Sequence, residues 1–257
     1  MHTLAFATQK GGVGKTSTLV GVTETLVEKG KDVLVVDADA QANASRWLMQ
    51  EGPHEYDPEA TLLHAADPDA PVFEAESLEE TDLGADLIPA HPRQNSRLQN
   101  LHMESYIDKV LEDLLSSSEK RYDFALIDTP PYIGSPVWAA MSASDHIVVP
   151  VQLEGLAIEG LISLRRALSA ARERFHTDVN VLGIFANQVD VRRGSAQEGW
   201  DFLNEEYGDL IFDTRLRQRA DVAHASTIKQ PLRECGSDHV INAFDNLTDE
   251  ILHRLDE

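Results

Sequence analysis

The sequence predicts an α/β fold, a mostly parallel twisted sheet flanked by helices. Three observations point to it. Short, nearly continuous apolar runs recur along the chain, at Thr3–Thr8, Asp32–Val36, Phe124–Asp128, His146–Val151 and Val179–Ala186. Strands buried on both faces, as in a parallel sheet, read this way. Stretches with helical periodicity separate the runs, which is the βαβ alternation. The first run also opens directly into a glycine-rich loop, Lys10-Gly11-Gly12-Val13-Gly14-Lys15-Thr16-Ser17.

Taken in order, Thr3–Thr8 is the first strand and Thr16–Lys29 the first helix, closed by Gly30 just past its last turn. Asp32–Val36 is the second strand. Residues 51–82 are rich in Pro, Asp, Glu and Ala and read as a surface excursion. Leu87–Pro89 is a short strand candidate and Met103–Leu115 a helix. After the two apolar strands that follow, Ala157–Phe175 is a long amphipathic helix. Val179–Ala186 is the last strand, Ala196–Glu206 a helix, and His239–Leu255 a closing helix. No linker or repeat interrupts the pattern, so residues 1–257 are expected to form a single domain.

Composition narrows the setting. Hydrophobic residues make up 42% of the chain, enough for a sizeable core, and no apolar run approaches the roughly 20 residues that span a bilayer. The N-terminal MHTLAFATQ lacks the basic and apolar regions of a signal peptide, so a cytoplasmic location is expected. The lone Cys235 rules out an internal disulfide and reads as a small, partly buried spacer. Ten histidines show no metal-ligand spacing. Acidic residues number 44 against 22 basic ones, for a net charge of −22. They are dispersed, and lysine is scarce, at 7 against 15 arginines. Such a surface suits high salt, where ions screen its self-repulsion, and it predicts a halophilic source. An ordinary acidic cytosolic enzyme is the other reading.

The glycine-rich loop carries the clearest chemistry. Glycines let backbone N–H groups turn inward around phosphate oxygens, and the N-terminus of the following helix adds its positive dipole end. Lys15 can reach β- and γ-phosphates, and Thr16 can place its hydroxyl on Mg²⁺. The usual G-x-x-x-x-G-K-[ST] spacing requires glycine where this chain has Gln9.

KGGVGKTS resembles the deviant Walker-A P-loop of the ParA/MinD family of partitioning and positioning ATPases. The resemblance implies that Gly11, Gly12, Val13, Gly14, Lys15, Thr16 and Ser17 bind ATP. It also implies that Lys10 reaches the phosphates of a second subunit in an ATP-clamped homodimer. Val33-Leu34-Val35-Val36-Asp37-Ala38-Asp39-Ala40-Gln41-Ala42-Asn43-Ala44 is similar to the family's VLLVDxDPQGNAT stretch, with Ala40 and Ala42 where many relatives carry Pro and Gly. By that likeness Asp39 orients or activates the attacking water and Asp37 belongs to the network around the metal. Tyr122-Asp123-Phe124-Ala125-Leu126-Ile127-Asp128-Thr129-Pro130-Pro131 resembles the family's Walker-B segment, which makes Asp128 the residue holding Mg²⁺ through water. Gly183-Ile184-Phe185-Ala186-Asn187-Gln188-Val189-Asp190 looks like the segment whose Asn contacts adenine, here Asn187. Leu216–Leu232 resembles a late loop near the base, with Arg217 where relatives often have Pro.

Within the family, the acidic C-terminal DNLTDEILHRLDE argues against a membrane-binding helix of the MinD kind, since an anionic leaflet would repel it. One cysteine argues against iron–sulfur carriers, and the length against fused arsenite-pump ATPases. The DxDxQxNA stretch favours the ParA/Soj branch. The implied function is Mg-dependent ATP hydrolysis by a homodimer that binds DNA non-specifically on the nucleoid. A ParB-like or other partner would stimulate hydrolysis, and the cargo would be a plasmid, a chromosome region or another large body. Arg192, Arg193, Arg215, Arg217 and Arg219 are the candidate DNA contacts. The alternatives are a MinD-like membrane switch and an ATP-dependent ligase of the dethiobiotin synthetase type.

Overall fold

The computed structural model describes residues 1–49, 61–62, 78–90, 111–116, 118, 121–153, 157–190 and 194–256. The N-terminal half contains β1 (His2–Phe6), α1 (Lys15–Glu28), β2 (Val33–Asp37), α2 (Asn43–Leu48), β3 (Glu79–Glu80), β4 (Asp86–Ile88) and β5 (Phe124–Asp128). Beyond β5 come α3 (Ser135–Ser142), β6 (His146–Val151), α4 (Ala157–Phe175), β7 (Asn180–Ala186) and α5 (Gly194–Tyr207). The chain closes with α6 (Ala220–Ile228), α7 (Leu232–Cys235) and α8 (Asp238–Leu255). Residues 111–116 are also helical; the rest of the expected Met103–Leu115 helix, and most of the 51–82 excursion, lie outside the described residues.

The strands form one sheet in the order β3-β4-β2-β5-β1-β6-β7. Pairing is parallel throughout except for β3, which runs antiparallel to β4. The expected α/β architecture is therefore observed. Strand β1 is central, between β5 and β6, and β2 lies on the far side of β5. Register aligns Phe6 with Asp128, and Asp128 with Asp37. The glycine loop and both carboxylates thus emerge at the same C-terminal edge, where open α/β sheets bind ligands.

Alternation along the strands divides the core into two layers. Ala5, Val36, Ile127 and Val149 pack with Leu164, Leu168 and Leu203 on one face. Leu4, Phe6, Val35 and Phe185 pack with Leu19, Val22 and Leu26 of α1 on the other. In α8, Val240, Phe244, Leu247 and Ile251 recur at helical spacing and join this second layer. Gly21, in the middle of α1, makes the close approach of α8 possible: a Cβ there would lie 2.5 Å from the Phe244 ring.

A buried acid ties α1 to the C-terminal segment. The Glu24 carboxylate accepts hydrogen bonds from the backbone N–H of Leu232, at 2.7 Å, and of Arg233, at 3.0 Å. These are orphan donors at the start of α7. Burial, opposed by these bonds, pushes the Glu24 carboxyl up from its ordinary 4.5 to about 7. The folded state therefore holds this proton more tightly than the unfolded chain. The stability it contributes is fully present below 4.5 and is lost as pH rises through about 7. Urea unfolding at about pH 5 and about pH 8 should show a larger loss for wild type than for Glu24→Gln. The difference between the two losses is expected to be on the order of 2 kcal/mol; equal losses would contradict the assignment.

Candidate functional site

The site is built around the turn between β1 and α1. Gly12 and Gly14 have φ of 73° and 85°, in the left-handed region. At Gly14 a Cβ would also lie 2.5 Å from Nδ2 of Asn187, so both conformation and space require glycine. Helix α1 starts at Lys15, one residue before the expected Thr16. No side chain caps it, so its first N–H groups are left for an anion.

Two strand-end carboxylates lie beneath the loop, both with 0% exposure. The Thr16 hydroxyl donates to Oδ2 of Asp128 at 2.6 Å. The other oxygen, Oδ1 of Asp128, is buried and has no hydrogen-bond partner among the described residues. Asp37 is fully satisfied: its Oδ1 accepts from the Asp39 N–H at 3.0 Å, and its Oδ2 from the N–H and hydroxyl of Ser45 at 2.9 and 2.7 Å. Asp37 thereby fixes the Asp39 loop and the start of α2. Burial pushes the Asp37 carboxyl up to about 6; burial and the neighbouring Asp37 charge push Asp128 to about 8. Lys15 is buried as well, and desolvation lowers its pKa against the pull of Asp128 and Asp39.

These residues suit Mg²⁺. The Thr16 hydroxyl and an unpartnered carboxylate oxygen are hard oxygen donors, and a cation would relieve the electrostatic pressure on Asp128. Among the described residues no group of three or more His, Cys, Asp or Glu could hold a metal without further ligands. Mg²⁺ has no need of one, because it keeps waters and shares substrate phosphates.

A cavity of about 490 Å³ opens above this cluster. One wall is the glycine loop with Lys15, Thr16 and Ser17; a second is Asp39, Gln41, Asn43, Arg46 and Trp47; Ser226 and Lys229 close it from α6 and its end. One Asp39 oxygen, Oδ1, accepts from the Gln41 N–H at 3.0 Å. Lys10 is half-buried, does not line this cavity and makes no ion pair with a described residue.

Asn187, the expected contact to a base, lies beneath the glycine loop. It is 5% exposed, and its Nδ2 donates to the Val13 carbonyl at 2.8 Å, while its Oδ1 accepts from the Gln188 N–H at 2.8 Å. Its amide is committed to the underside of the loop. Gln188 and Gln152 were not anticipated. Nε2 of Gln188 donates to the Gly12 carbonyl at 2.9 Å, and Nε2 of Gln152 donates to Oε1 of Gln188 at 2.6 Å. Two amides far apart in sequence give no local signal, so only the fold reveals them.

The candidate DNA-binding arginines divide. Arg192 and Arg193 lie outside the described residues. Arg215, Arg217 and Arg219 line a single cavity of about 280 Å³ beside α8. Arg215 also stacks over Trp200, 3.6 Å from the ring centroid. The backbone of this segment is bonded to the one beneath the loop: the Leu216 N–H donates to Ala186 O at 2.9 Å, and the Val189 N–H to Leu216 O at 3.0 Å. No described helix is long and apolar enough to cross a membrane.

Comparison with known proteins fits this geometry. A family model described as "AAA domain" matches residues 1–181. The chromosome partitioning protein ParA of Caulobacter vibrioides is 30% identical over 234 residues, covering 90% of this chain and 86% of the relative. The chromosome-partitioning ATPase Soj of Thermus thermophilus is 28% identical over 262 residues, covering 99% of this chain and 96% of the relative. Among solved structures, cobyrinic acid a,c-diamide synthase from Mycobacterium smegmatis, with bound ATP analogue and magnesium, superposes with a TM-score of 0.84. It is 24% identical and covers 100% of this chain and 96% of that one, a likeness of fold. With a glycine loop over two strand-end carboxylates, and with this kinship along the chain, the protein belongs to the ParA/Soj family of P-loop partition ATPases.

Proposed function

We propose that this chain binds and hydrolyses ATP with Mg²⁺, dimerises in the ATP state and binds DNA without sequence preference to move a cargo. The observation that carries the reading is the Thr16–Asp128 hydrogen bond beneath a glycine loop, with one Asp128 oxygen left unpartnered. Mg²⁺, when bound, would neutralise phosphate charge. Thr16 and Asp128, joined by their hydrogen bond, would hold it, and Asp37 fixes the backbone of the Asp39 loop beside them. Gly11, Gly12, Val13 and Gly14 present backbone N–H groups, with Ser17 in the first turn of α1. Lys15 faces the β- and γ-phosphates, and Asp39 orients the attacking water. Lys10 extends to the nucleotide of a second protomer, where a positive charge stabilises the transferring phosphoryl group. Asn187 clamps the loop from below.

DNA binding is assigned to Arg215, Arg217 and Arg219 together with Arg192 and Arg193. The two backbone bonds between Leu216 and the Ala186–Val189 segment beneath the loop link that surface to the proposed nucleotide site. A stimulating partner of the ParB kind completes the cycle, in the cytoplasm and on the nucleoid of an organism that lives at high salt. The test is light scattering and DNA anisotropy with and without Mg·ATP across a salt series. Dimers that retain DNA with ATP, more weakly as salt rises, are expected. Replacing Arg215, Arg217 and Arg219 with Glu should remove retention and leave the dimer intact. Absence of retention at the lowest salt that keeps the chain folded would refute DNA binding. Monomers in saturating Mg·ATP would refute the switch.

A further inference from the structure

We infer that Arg46 is a second fixed cation of the nucleotide site, gripping the polyphosphate from the wall formed by the Asp39 loop and α2. The inference rests on the ATP-binding reading above and adds a residue that the loop motif does not contain.

Arg46 lines the same cavity as Lys15 and Thr16. It is held there from both sides in sequence. Ser45 is buried and bonded to Oδ2 of Asp37 through both its N–H and its hydroxyl. Trp47 is buried and donates its indole N–H to the Gln230 carbonyl at 2.8 Å. The backbone at Arg46 is therefore anchored to the sheet on one side and to the segment before α7 on the other. The Arg46 side chain itself makes no hydrogen bond or ion pair with a described residue. An arginine fixed at its Cα, open at its guanidinium and facing a cavity has five donors available to a phosphate.

The charge balance of the cavity points the same way. Its lining has three basic residues, Lys15, Arg46 and Lys229, and one acidic residue, Asp39. The whole chain has the opposite sign, at −22. Lys15 already faces the Asp128 and Asp39 carboxylates, whereas the Arg46 charge in this lining meets no described side chain. Lys15 alone accounts for the loop's own cation. Arg46 adds a planar fork that can pair with two phosphate oxygens at once.

Titration calorimetry with Mg·ATP and Mg·ADP on wild type, Arg46→Ala and Arg46→Lys tests the inference, with urea midpoints as the check on folding. Arg46→Ala should weaken Mg·ATP at least tenfold at an unchanged midpoint. Arg46→Lys should recover part of that loss. Affinity should also fall less steeply with salt in Arg46→Ala than in wild type, a change that a purely structural role would not produce. If wild type binds and Arg46→Ala binds equally well, Arg46 is not a ligand and the site reading stands. If wild type fails to bind nucleotide, both fall.

Discussion

Lys15→Ala is expected to weaken Mg·ATP binding at least 100-fold, about 2.7 kcal/mol, while leaving the apo fold almost unchanged. The two effects separate because of where Lys15 sits. Its side chain is buried at the head of α1, and desolvation lowers its pKa despite the nearby Asp128 and Asp39 carboxylates. In the apo protein burial works against its charge, and removing it should change the unfolding free energy by no more than about 1 kcal/mol. On the proposed reading Lys15 would be the loop's own cation with nucleotide present and would meet β- and γ-oxygens in a charge-assisted contact. Calorimetry and urea unfolding on the same variant check both parts. Unchanged affinity would refute the assignment of the loop to phosphate binding. Lost affinity in an unfolded variant would refute the separation.

Asp39→Ala is expected to slow ATP hydrolysis by a factor of about 100 or more while retaining Mg·ATP. The two Asp39 oxygens differ in their bonding, which suits the proposed role. Oδ1 is fixed by the Gln41 N–H, so the carboxylate has one orientation. Oδ2 makes no hydrogen bond to a described residue, and the side chain lines the cavity beside Thr16. Asp37, by contrast, is fully buried, and both its oxygens already accept hydrogen bonds, from Ser45 and from the Asp39 N–H. Asp37→Asn should therefore loosen the loop without imitating Asp39→Ala. Phosphate release under saturating Mg·ATP measures the loss, and light scattering should show a longer-lived dimer for Asp39→Ala. Turnover near that of wild type would exclude Asp39 from the chemistry.

The legible parts of the molecule are those encoded locally. Five apolar runs announced β1, β2, β5, β6 and β7, with β5 and β6 matched at both ends and the others shifted by a residue or two, because strands buried on both faces must be apolar throughout. The glycine loop was legible because phosphate chemistry requires glycine, lysine and a hydroxyl in consecutive positions. Asp37 and Asp128 were legible as carboxylates ending apolar runs. Helix α2 was not, since Ala42 precedes it in a left-handed conformation with no side-chain cap, and Asp37 instead holds its Ser45. Strand β3 was hidden because Glu79 and Glu80 carry no apolar signal and are ordered by pairing with β4. The short helices α6 and α7 depend on contacts from elsewhere, as Glu24 shows for α7. Gln152, Gln188, Arg46 and Lys229 reach the site from four separate segments, and no spacing rule links them. Asn187 was found by resemblance, but its hydrogen bonds give it a place under the loop.

The central claim is that the cavity above Thr16 and Asp128 is a Mg·nucleotide site. Titration calorimetry of wild type with ATP, in Mg²⁺ and then in EDTA, tests it most directly. The account predicts one saturable site per chain whose affinity drops when Mg²⁺ is removed. A folded chain that takes up no ATP at millimolar Mg·ATP, or binds it equally well in EDTA, would contradict it.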